Sequence, residues 1–194
     1  MHPFRAYISQ YNTLSNAEWE QIEKCLTRKY YVKGATILAS GKTCRKLYFL
    51  EEGFLRFYVY KDGNDVTKFF TEAPYCFTSQ RSFTNEIPTE DNIEALKDSI
   101  VWEMNKTDAF ELLRYPNWSE FIRKLIQEVQ FFTEQILEEL QTSTAEERYI
   151  KMVKENDPIL LNAPLKDIAS YLGIAPQSLS RIRKKYWLNN RKLT

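Results

Sequence analysis

The side chains best suited to bind another molecule lie in one basic segment near the C-terminus, residues 164–185. Six polar or basic residues there recur at helical spacing: Gln177, Ser178, Ser180, Arg181, Lys184 and Lys185. Glutamine and arginine form paired hydrogen bonds with the edges of adenine and guanine, whereas hydroxyl and ammonium groups bind phosphates. The segment therefore predicts an interface with double-stranded DNA in which Gln177 and Arg181 contact bases. The predicted phosphate contacts are Ser180, Lys184 and Lys185.

The charge of the chain is divided unevenly, although the net charge is only +1. Residues 1–141 carry 17 basic and 21 acidic side chains, whereas residues 142–194 carry 10 basic and 5 acidic ones. A compact basic unit joined to an acidic body is typical of a nucleic-acid-binding protein. The alternative is an ordinary pair of packed helices with a basic, solvated surface.

The apolar residues of the same segment predict two helices that would hold these side chains. One helical face contains four of them: Leu165, Ile168, Ala169 and Leu172. The chain turns at Gly173, and a second helix is predicted over about 176–185. Because Ala169 is small, the second helix can approach the first closely, as a helix-turn-helix requires. A capping box from Thr144 to Glu147 starts the preceding helix, which predicts a hinge at 141–143.

Short β-branched and aromatic runs dominate the first half of the chain, after a predicted helix over 16–28 that begins with a capping box, Ser15 to Glu18. The runs are separated by glycine-containing turns and cover 31–32, 36–38, 47–50, 54–60, 66–70, 93–96 and 100–104. This spacing predicts an antiparallel barrel or sandwich with a hairpin at Asp62-Gly63. A helix over 106–113 follows.

A long helix is predicted over 116–141, with an apolar a/d seam. The seam residues alternate at spacings of four and three: Trp118, Ile122, Leu125, Val129, Phe132 and Ile136. One explanation is a single helix packed on its own barrel, and Phe121, Phe131 and Leu137 on the flanking face suit that packing. Two apolar stripes favour two partners. We therefore expect the flanking face to contact the barrel and the seam to form a homodimer.

The composition argues against several other functions. The three cysteines are widely spaced and the only histidine is His2, which disfavours a disulfide framework and zinc, haem or iron–sulfur cofactors. No Ser/His/Asp set or phosphate loop is present, and the acidic pairs Glu51-Glu52 and Glu138-Glu139 are typical of solvated surface, so no enzyme is expected. The chain shows neither a signal peptide nor a membrane-spanning apolar stretch, which predicts a cytoplasmic protein without membrane contact. No cofactor is expected, because the cysteines and the histidine do not form a ligand set.

Two longer patterns resemble the Crp/Fnr family of bacterial transcription regulators. The first, Tyr31-x-x-Gly34-x-x-Ile37-x-x-x-Gly41 followed by Leu47-Tyr-Phe-Leu50-x-x-Gly53-x-x-Arg56, is similar to the opening of the family's cyclic-nucleotide-binding β-roll. The second, Ile168-Ala-x-x-Leu-Gly173 followed by Gln177-Ser-Leu-Ser-Arg181, is similar to its winged helix-turn-helix. The resemblance extends over nearly the whole chain.

The resemblance implies an α+β fold with three parts. Residues 1–115 would form an antiparallel β-roll, or double-stranded barrel, with flanking helices. Residues 116–141 would form the dimerisation helix, and residues 142–194 a helical, winged-helix-like helix-turn-helix domain. Gln177, Ser178 and Arg181 would be the base readers. The implied partners are double-stranded DNA, a second copy of the chain, RNA polymerase and a small-molecule effector of unknown identity.

The chain departs from the family where relatives hold the phosphate of a cyclic nucleotide. Those relatives carry a Gly-Glu turn and an arginine, whereas this chain has Ser79 near the expected glutamate and Glu90-Asp91 near the expected arginine. Two carboxylates would repel a phosphodiester. We therefore expect a pocket against the long helix that does not hold cyclic AMP in the family's usual way. Its predicted residues are Ser79, Arg81 and Thr133.

Two alternatives stay open at this point. The pocket could be filled by Tyr75, Phe77 and Phe83, which would leave Arg81 on the surface and make the protein independent of any effector. The rival function is a ligand-binding or protein-interaction module with the same β-roll and no specific DNA target.

Overall fold

Two short helices precede the first strand. The computed structural model describes residues 1–190, so residues 191–194 of the predicted C-terminal unit lie outside the described residues. Helix α1 spans Pro3–Ile8 and α2 spans Asn16–Lys24. The capping box at the start of α2 is confirmed, with reciprocal hydrogen bonds between Ser15 and Glu18. The predicted extension of α2 to residue 28 is wrong, because Leu26–Tyr31 pairs with another strand instead.

Eight strands within the described residues form two four-stranded antiparallel sheets, here called the β-roll. They are β1 (Leu26–Tyr31), β2 (Thr36–Leu38), β3 (Lys46–Glu52), β4 (Phe54–Lys61), β5 (Asn64–Glu72), β6 (Tyr75–Phe77), β7 (Asn92–Ala95) and β8 (Ser99–Asn105). The strand orders are β1-β8-β3-β6 and β2-β7-β4-β5. The predicted antiparallel double sheet is confirmed. Strand β6 was not among the predicted runs.

A tight hairpin joins β4 and β5 at the predicted place. Asp62 and Gly63 both have positive φ, 51° and 78°, as a two-residue type I′ turn requires. Strand β5 is an outer strand of its sheet. Its free edge therefore needs another element to satisfy the backbone groups that have no partner strand.

The main hydrophobic core combines the β-roll with α1, α2 and the first turns of a long helix. Phe4 stacks on Phe49 with ring centroids 4.7 Å apart, and Trp118 and Phe121 meet Phe4 edge to face. The Trp118 indole N–H donates to the Ala109 carbonyl at 3.1 Å. Because the polar atom of this buried tryptophan is satisfied, the long helix can begin inside the core without an electrostatic penalty.

The long helix is α5, which spans Pro116–Thr142. It follows α4 (Lys106–Glu111) and a 3-10 turn (Leu112–Arg114). Its 27 residues extend about 40 Å at the standard rise. The buried residues of α5 are all in its first ten positions, so most of the helix extends beyond the core. None of the described helices is both long and apolar enough to cross a membrane.

The predicted seam of α5 is divided between two environments, and the dimer contact itself stays a prediction. Trp118 and Leu125 are buried in the core of their own chain, so they are poorly placed to contact a second copy. Phe121 faces the core as expected, but Phe131 and Leu137, predicted to do the same, are 62% and 54% exposed. An exposed apolar stripe, here called the α5 stripe, runs along a neighbouring face and contains Ile126, Val129, Leu137 and Leu140.

The remaining seam residues flank the α5 stripe or belong to it. Ile122 is half-buried against the core, and Ile136 is half-buried farther along the helix. Val129 and Phe132 are both exposed. The physical reason for the split is that consecutive residues lie about 100° apart around a helix, so the core-facing and exposed stripes alternate closely along the sequence.

Four further helices follow within the described residues. They are α6 (Ala145–Lys154), α7 (Ile159–Asn162), α8 (Leu165–Tyr171) and α9 (Pro176–Asn190). The capping box between Thr144 and Glu147 is confirmed at the start of α6. Helix α9 continues past the predicted end at Lys185, and no strand follows β8 within residues 1–190.

The C-terminal helices have a small core of their own and rest on one sheet of the β-roll. Their buried apolar residues are Tyr149, Met152, Ile168, Ala169, Leu172 and Leu179. Helix α8 lies against β5, and a separate apolar cluster fills the junction. Its members are Phe54, Phe70 and Leu96 of the β-roll with Ile159, Ala163 and Tyr171 of the helices. Helix α8 thus covers the free edge of β5.

The close approach at Gly53 provides a test of the β-roll. Gly53 has φ +121°, and a Cβ built there would lie 2.6 Å from the Ser99 Cβ and 2.9 Å from its Cα. We expect Gly53→Ala to lower the free energy of unfolding by about 2–4 kcal/mol, because a backbone atom cannot move aside. Gly63→Ala is the control, since nothing lies within 4 Å of its Cβ position, and it should cost only about 1–2 kcal/mol. Urea denaturation measures both, and equal losses would contradict this account.

Candidate functional site

The outward face of α9 is the main candidate site. Gln177, Arg181 and Lys184 lie at positions i, i+4 and i+7 of this helix, and all three side chains are exposed. Leu179, on the opposite face, is fully buried. The structure therefore brings three of the six predicted DNA-contacting residues onto one outward line.

The other three predicted residues are placed beside this line. Ser178 is half-buried at its edge. The Ser180 hydroxyl donates to the Pro176 carbonyl at 3.0 Å, and Lys185 Nζ lies 2.7 Å from Glu146 Oε1. Ser180 and Lys185 are therefore engaged within the chain, and an incoming phosphate would compete with Glu146 for Lys185.

The turn between α8 and α9 holds the two helices at a fixed angle. Gly173 has φ +71°, and the next amide, that of Ile174, donates to the Ala169 carbonyl at 3.0 Å. The Arg148 guanidinium donates to the Leu172 carbonyl at 2.7 Å, which satisfies an end carbonyl of α8. The exposed face of α9 is thus presented by a rigid support, as specific recognition requires.

The positive charge of α9 is only partly neutralised by neighbours. Within residues 1–190, Arg181, Arg183 and Lys184 have no carboxylate at salt-bridge distance, whereas Lys185 has Glu146. Unpaired exposed cations attract polyanions over roughly the Debye length, about 8–10 Å at physiological salt. Arg181 and Lys184 are therefore the charges of this face that remain available to an anionic partner.

The structure places the three predicted effector residues in different ways, and the effector site formed by them stays a prediction. Ser79 is buried, and its hydroxyl donates to Asp91 Oδ2 at 2.5 Å. Arg81 is exposed on α3 (Gln80–Asn85). Thr133 is exposed on α5, where its hydroxyl donates to the Val129 carbonyl. Ser79 is the N-cap of α3 and therefore lies close to Arg81 along the chain, whereas Thr133 lies on another helix.

Asp91 occupies the position where the pocket was expected to hold an anion. Its Oδ1 receives the Lys68 ammonium at 2.8 Å, and its Oδ2 receives the Ser79 hydroxyl. Burial pushes the pKa of Asp91 upward, but the hydrogen bonds from Lys68 and Ser79 outweigh burial and leave that pKa below its usual value. Asp91 is therefore charged at neutral pH, and its own partners already neutralise it.

A cavity does lie between the β-roll and α5, where a pocket was expected, but different residues line it. Its volume is about 260 Å³, slightly below the usual range for small-molecule sites. The lining is mostly aromatic, with two carboxylates: Tyr7, Phe69, Phe70, Thr71, Glu72, Tyr75, Leu125, Glu128, Val129 and Phe132. No lysine or arginine is part of it. The chemistry suits an apolar or cationic molecule better than an anion.

A chain of hydroxyl groups leads to one of these carboxylates. The Tyr7 and Tyr11 hydroxyls lie 3.0 Å apart, and the Tyr11 hydroxyl donates to Glu128. Burial, followed by the hydrogen bond to Glu128, raises the pKa of Tyr11 to about 12. Sequence analysis missed Tyr7 and Glu128, because nothing in their local patterns indicates that α1 meets α5. Of the three residues proposed to fill the pocket, Phe77 and Phe83 are buried and only Tyr75 lines the cavity.

The described residues offer no alternative metal chemistry. Among residues 1–190, no three His, Cys, Asp or Glu side chains are grouped as a metal site. Cys25, Cys44 and Cys76 are free thiols. The candidate sites are therefore the α9 face and the cavity against α5.

Comparisons with known proteins agree with this architecture. Residues 28–115 match the family model described as cyclic nucleotide-binding domain. No curated protein matches the chain in sequence. Among solved structures, the chain is similar to the c-di-GMP responsive regulator CLP of Xanthomonas campestris, with a TM-score of 0.73, 12% identity, and coverage of 91% of this chain and 93% of that one.

Two other solved structures show the same likeness. A transcriptional regulator of the Crp/Fnr family from Eubacterium rectale gives a TM-score of 0.72 at 20% identity, covering 91% of this chain and 85% of the other. FixK2 from Bradyrhizobium japonicum gives 0.62 at 19% identity, covering 85% and 86%. The expected resemblance is thus confirmed: residues 28–115 match the cyclic nucleotide-binding domain family, and the chain has the overall fold of the Crp/Fnr family transcription regulators.

Proposed function

We propose that this chain is a dimeric, DNA-binding transcription regulator of the Crp/Fnr type. The observation that carries the proposal is the exposed line of Gln177, Arg181 and Lys184 on α9, supported from behind by the buried Leu179. A polar line of this kind on the second helix of a packed pair suits the major groove. Residues 142–194 are then the DNA-binding domain and residues 1–115 the effector domain, joined by the helix of residues 116–141.

The residues of α9 divide by chemistry into two groups. Gln177 and Arg181 can form bidentate hydrogen bonds with base edges, and Ser178 lies beside them at the N-terminal end of the helix. Ser180, Lys184 and Lys185 suit phosphates, which position the protein without reading sequence. The basic balance of residues 142–194 supports binding to a polyanion, and RNA polymerase would be a further partner of a regulator that activates transcription.

The α5 stripe is the proposed dimer interface, in place of the full predicted seam. Ile126, Val129, Leu137 and Leu140 are exposed and lie on one side of the helix, as a two-helix contact requires. Four large apolar side chains on one face of a solvent-exposed helix are costly to leave in water. A second copy of α5, related by a two-fold axis, would cover them and place two α9 helices on one face of DNA.

The cavity between the β-roll and α5 is the proposed effector site. It contacts the same helix that carries the α5 stripe, so a bound molecule could influence the dimer contact directly.

The rival proposal is a ligand-binding or interaction module that shares the fold but binds no specific DNA. Gel-shift titration at increasing salt separates the two, because a protein that neutralises several phosphates loses affinity steeply as salt rises. Binding that is absent at low salt would favour the module.

Base reading by Arg181 can be tested against two other basic residues of α9. We expect Arg181→Ala to weaken binding to a selected DNA site by about 1–3 kcal/mol and to relax base preference. Lys185→Ala should weaken binding to selected and random DNA about equally. Arg183→Ala is the matched control, since Arg183 is exposed on another side of α9 and should leave base preference unchanged. Equal effects of Arg181→Ala on selected and random DNA would refute the assignment.

The dimer interface can be tested within α5 itself. We expect the double change Ile126→Glu and Leu137→Glu to yield a monomer, because two buried carboxylates would face their symmetry mates. Phe131→Glu is the matched control, because Phe131 is equally exposed but lies about 140° around the helix from Ile126. Sedimentation velocity reports both. A dimer that survives the double change, or one that Phe131→Glu dissociates, would refute the proposed interface.

Cyclic AMP can be tested directly by calorimetric titration. We expect no saturable binding at micromolar concentrations, because the Lys68 ammonium and the Ser79 hydroxyl are already bound to Asp91 and are not free to hold a phosphodiester. Thr133→Ala provides the comparison, since Thr133 is the α5 residue that the family resemblance placed in the pocket. Micromolar binding that Thr133→Ala abolishes would show that the chain uses the family's usual site after all.

A further inference from the structure

Arg56 is a charged side chain in an unusual place, because it is only 3% exposed although it lies on a strand of the β-roll. Its Nε donates to the Thr67 hydroxyl at 2.9 Å, and its Nη1 donates to Asp65 Oδ2 at 2.9 Å. The guanidinium carbon also lies 4.5 Å from the ring centre of Tyr58. These contacts hold Arg56 rigidly between β4 and β5.

The third nitrogen of Arg56 points across the junction to α8. Its Nη2 lies 3.3 Å from Asp167 Oδ1, and Asp167 is itself only 3% exposed. The two atoms are close, yet their geometry is not that of a hydrogen bond. Neither atom has a hydrogen-bond partner among the described residues. A buried charge pair of this kind depends strongly on the position of its partner. A small rotation of α8 would therefore change the energy of the junction substantially.

Two neighbouring contacts fix α8 along the same edge. Ser170 accepts from the Thr67 amide at 2.9 Å and donates to the Asp65 carbonyl at 3.1 Å, so one side chain pairs with the free edge of β5. Lys166 Nζ lies 3.3 Å from Asp65 Oδ2. Together with Arg56 and Asp167, these residues form a junction of opposite charges, here called the α8 latch.

The opposite side of the C-terminal helices is much less tightly packed. A groove of about 470 Å³ separates the end of α5 from the helices that follow, and its lining includes Glu139, Ser143, Lys151 and Tyr171. A partly exposed ion pair joins Lys151 and Glu139 across it, and ion pairs that water reaches contribute little to stability. The orientation of α8 and α9 therefore depends mainly on the latch and on the apolar junction around Phe70 and Tyr171, whose rings lie 5.7 Å apart.

We propose that Arg56 is a positioning residue that sets the orientation of the α8–α9 pair relative to the β-roll through Asp167. The latch uses α8 and leaves the line of Gln177, Arg181 and Lys184 on α9 exposed, so the latched orientation is compatible with DNA binding. The inference rests on the proposed DNA-binding function. The two α9 helices of a dimer must match half-sites about 34 Å apart on the DNA. By fixing the orientation of each α8–α9 pair, the latch would fix the distance between the two α9 helices.

The first arm of the test needs no DNA. Hydrogen–deuterium exchange is measured on the full chain for peptides from β5 and α8, in the wild type and in Asp167→Asn, which removes the charge and keeps the shape. We expect exchange in α8 and at the Thr67 amide to become at least about tenfold faster, because local opening becomes easier. Lys68→Gln is the matched control: it breaks an ion pair on the same strand, with Asp91, and should leave α8 unchanged. Unchanged exchange in Asp167→Asn would overturn the latch.

The second arm uses selection from a randomised DNA library, followed by affinity measurement on the selected sites. We expect the wild type to prefer one half-site spacing. Asp167→Asn and Arg56→Gln should accept several spacings and bind the preferred site about 5- to 150-fold more weakly, the usual range of coupling between two sites. Arg56→Lys should restore part of the preference. Binding of each variant to an isolated half-site should equal that of the wild type. A variant that had lost its structure would bind the half-site more weakly as well.

The two arms separate the possible failures. If the wild type selects no DNA while Asp167→Asn still loosens α8, the proposed function fails and the latch stands as a structural contact. If the variants bind DNA more tightly than the wild type, or keep a single spacing, the positioning role of Arg56 is overturned. Circular dichroism confirms that each variant is folded, and Asp167→Asn keeps the test valid if Arg56→Gln does not fold.

Discussion

The structure depends first on how α5 is anchored in the aromatic core. Trp118 and Phe121 pack against Phe4, and the indole N–H of Trp118 is satisfied by a backbone carbonyl, so the helix begins as part of the β-roll's own core. This anchor fixes the rotation of the whole helix. Once Leu125 faces inward, Ile126 must face outward, and Leu137 and Leu140 farther along the helix are exposed as well. The α5 stripe, the cavity beside Glu128 and the starting point of the C-terminal helices all follow from that rotation.

The β-roll and α5 enclose charged and aromatic groups whose chemistry differs from that of an anion site. Asp91 is held by Lys68 and Ser79, so a negative charge is already built in and balanced within the sheet. The cavity against α5 has a different character, with aromatic walls and the carboxylates of Glu72 and Glu128. A buried anion requires fixed cations or donors, and this lining supplies neither lysine nor arginine. The chemistry of the site therefore differs from that of a phosphodiester pocket even though the fold is shared.

The junction between the β-roll and the C-terminal helices combines two requirements. An outer strand needs its edge covered, and Ser170 does this for β5 by pairing with the Thr67 amide and the Asp65 carbonyl. Buried charges need partners, and Arg56 has Asp65 on its own side and Asp167 across the junction. Burial raises the pKa of Asp167, and the attraction of Arg56 only partly offsets this. A junction built from compensated charges is more sensitive to orientation than one built from apolar contacts alone.

The sequence by itself determined the features that depend on residues close together in the chain. Both capping boxes, the Asp62-Gly63 hairpin and the turn at Gly173 were predictable, because each follows from backbone preferences within a few residues. The exposed line on α9 was predictable for the same reason. Tertiary structure alone decided the rest. Leu26–Tyr31 is a strand because β8 offers a pairing edge. Two stripes of similar hydrophobicity run along α5, and packing against the core determines that Leu125 is buried and Ile126 is exposed. Likewise Tyr11 donates to Glu128, and Arg56 approaches Asp167, only after distant elements pack. Such long-range contacts leave no signature in local spacing.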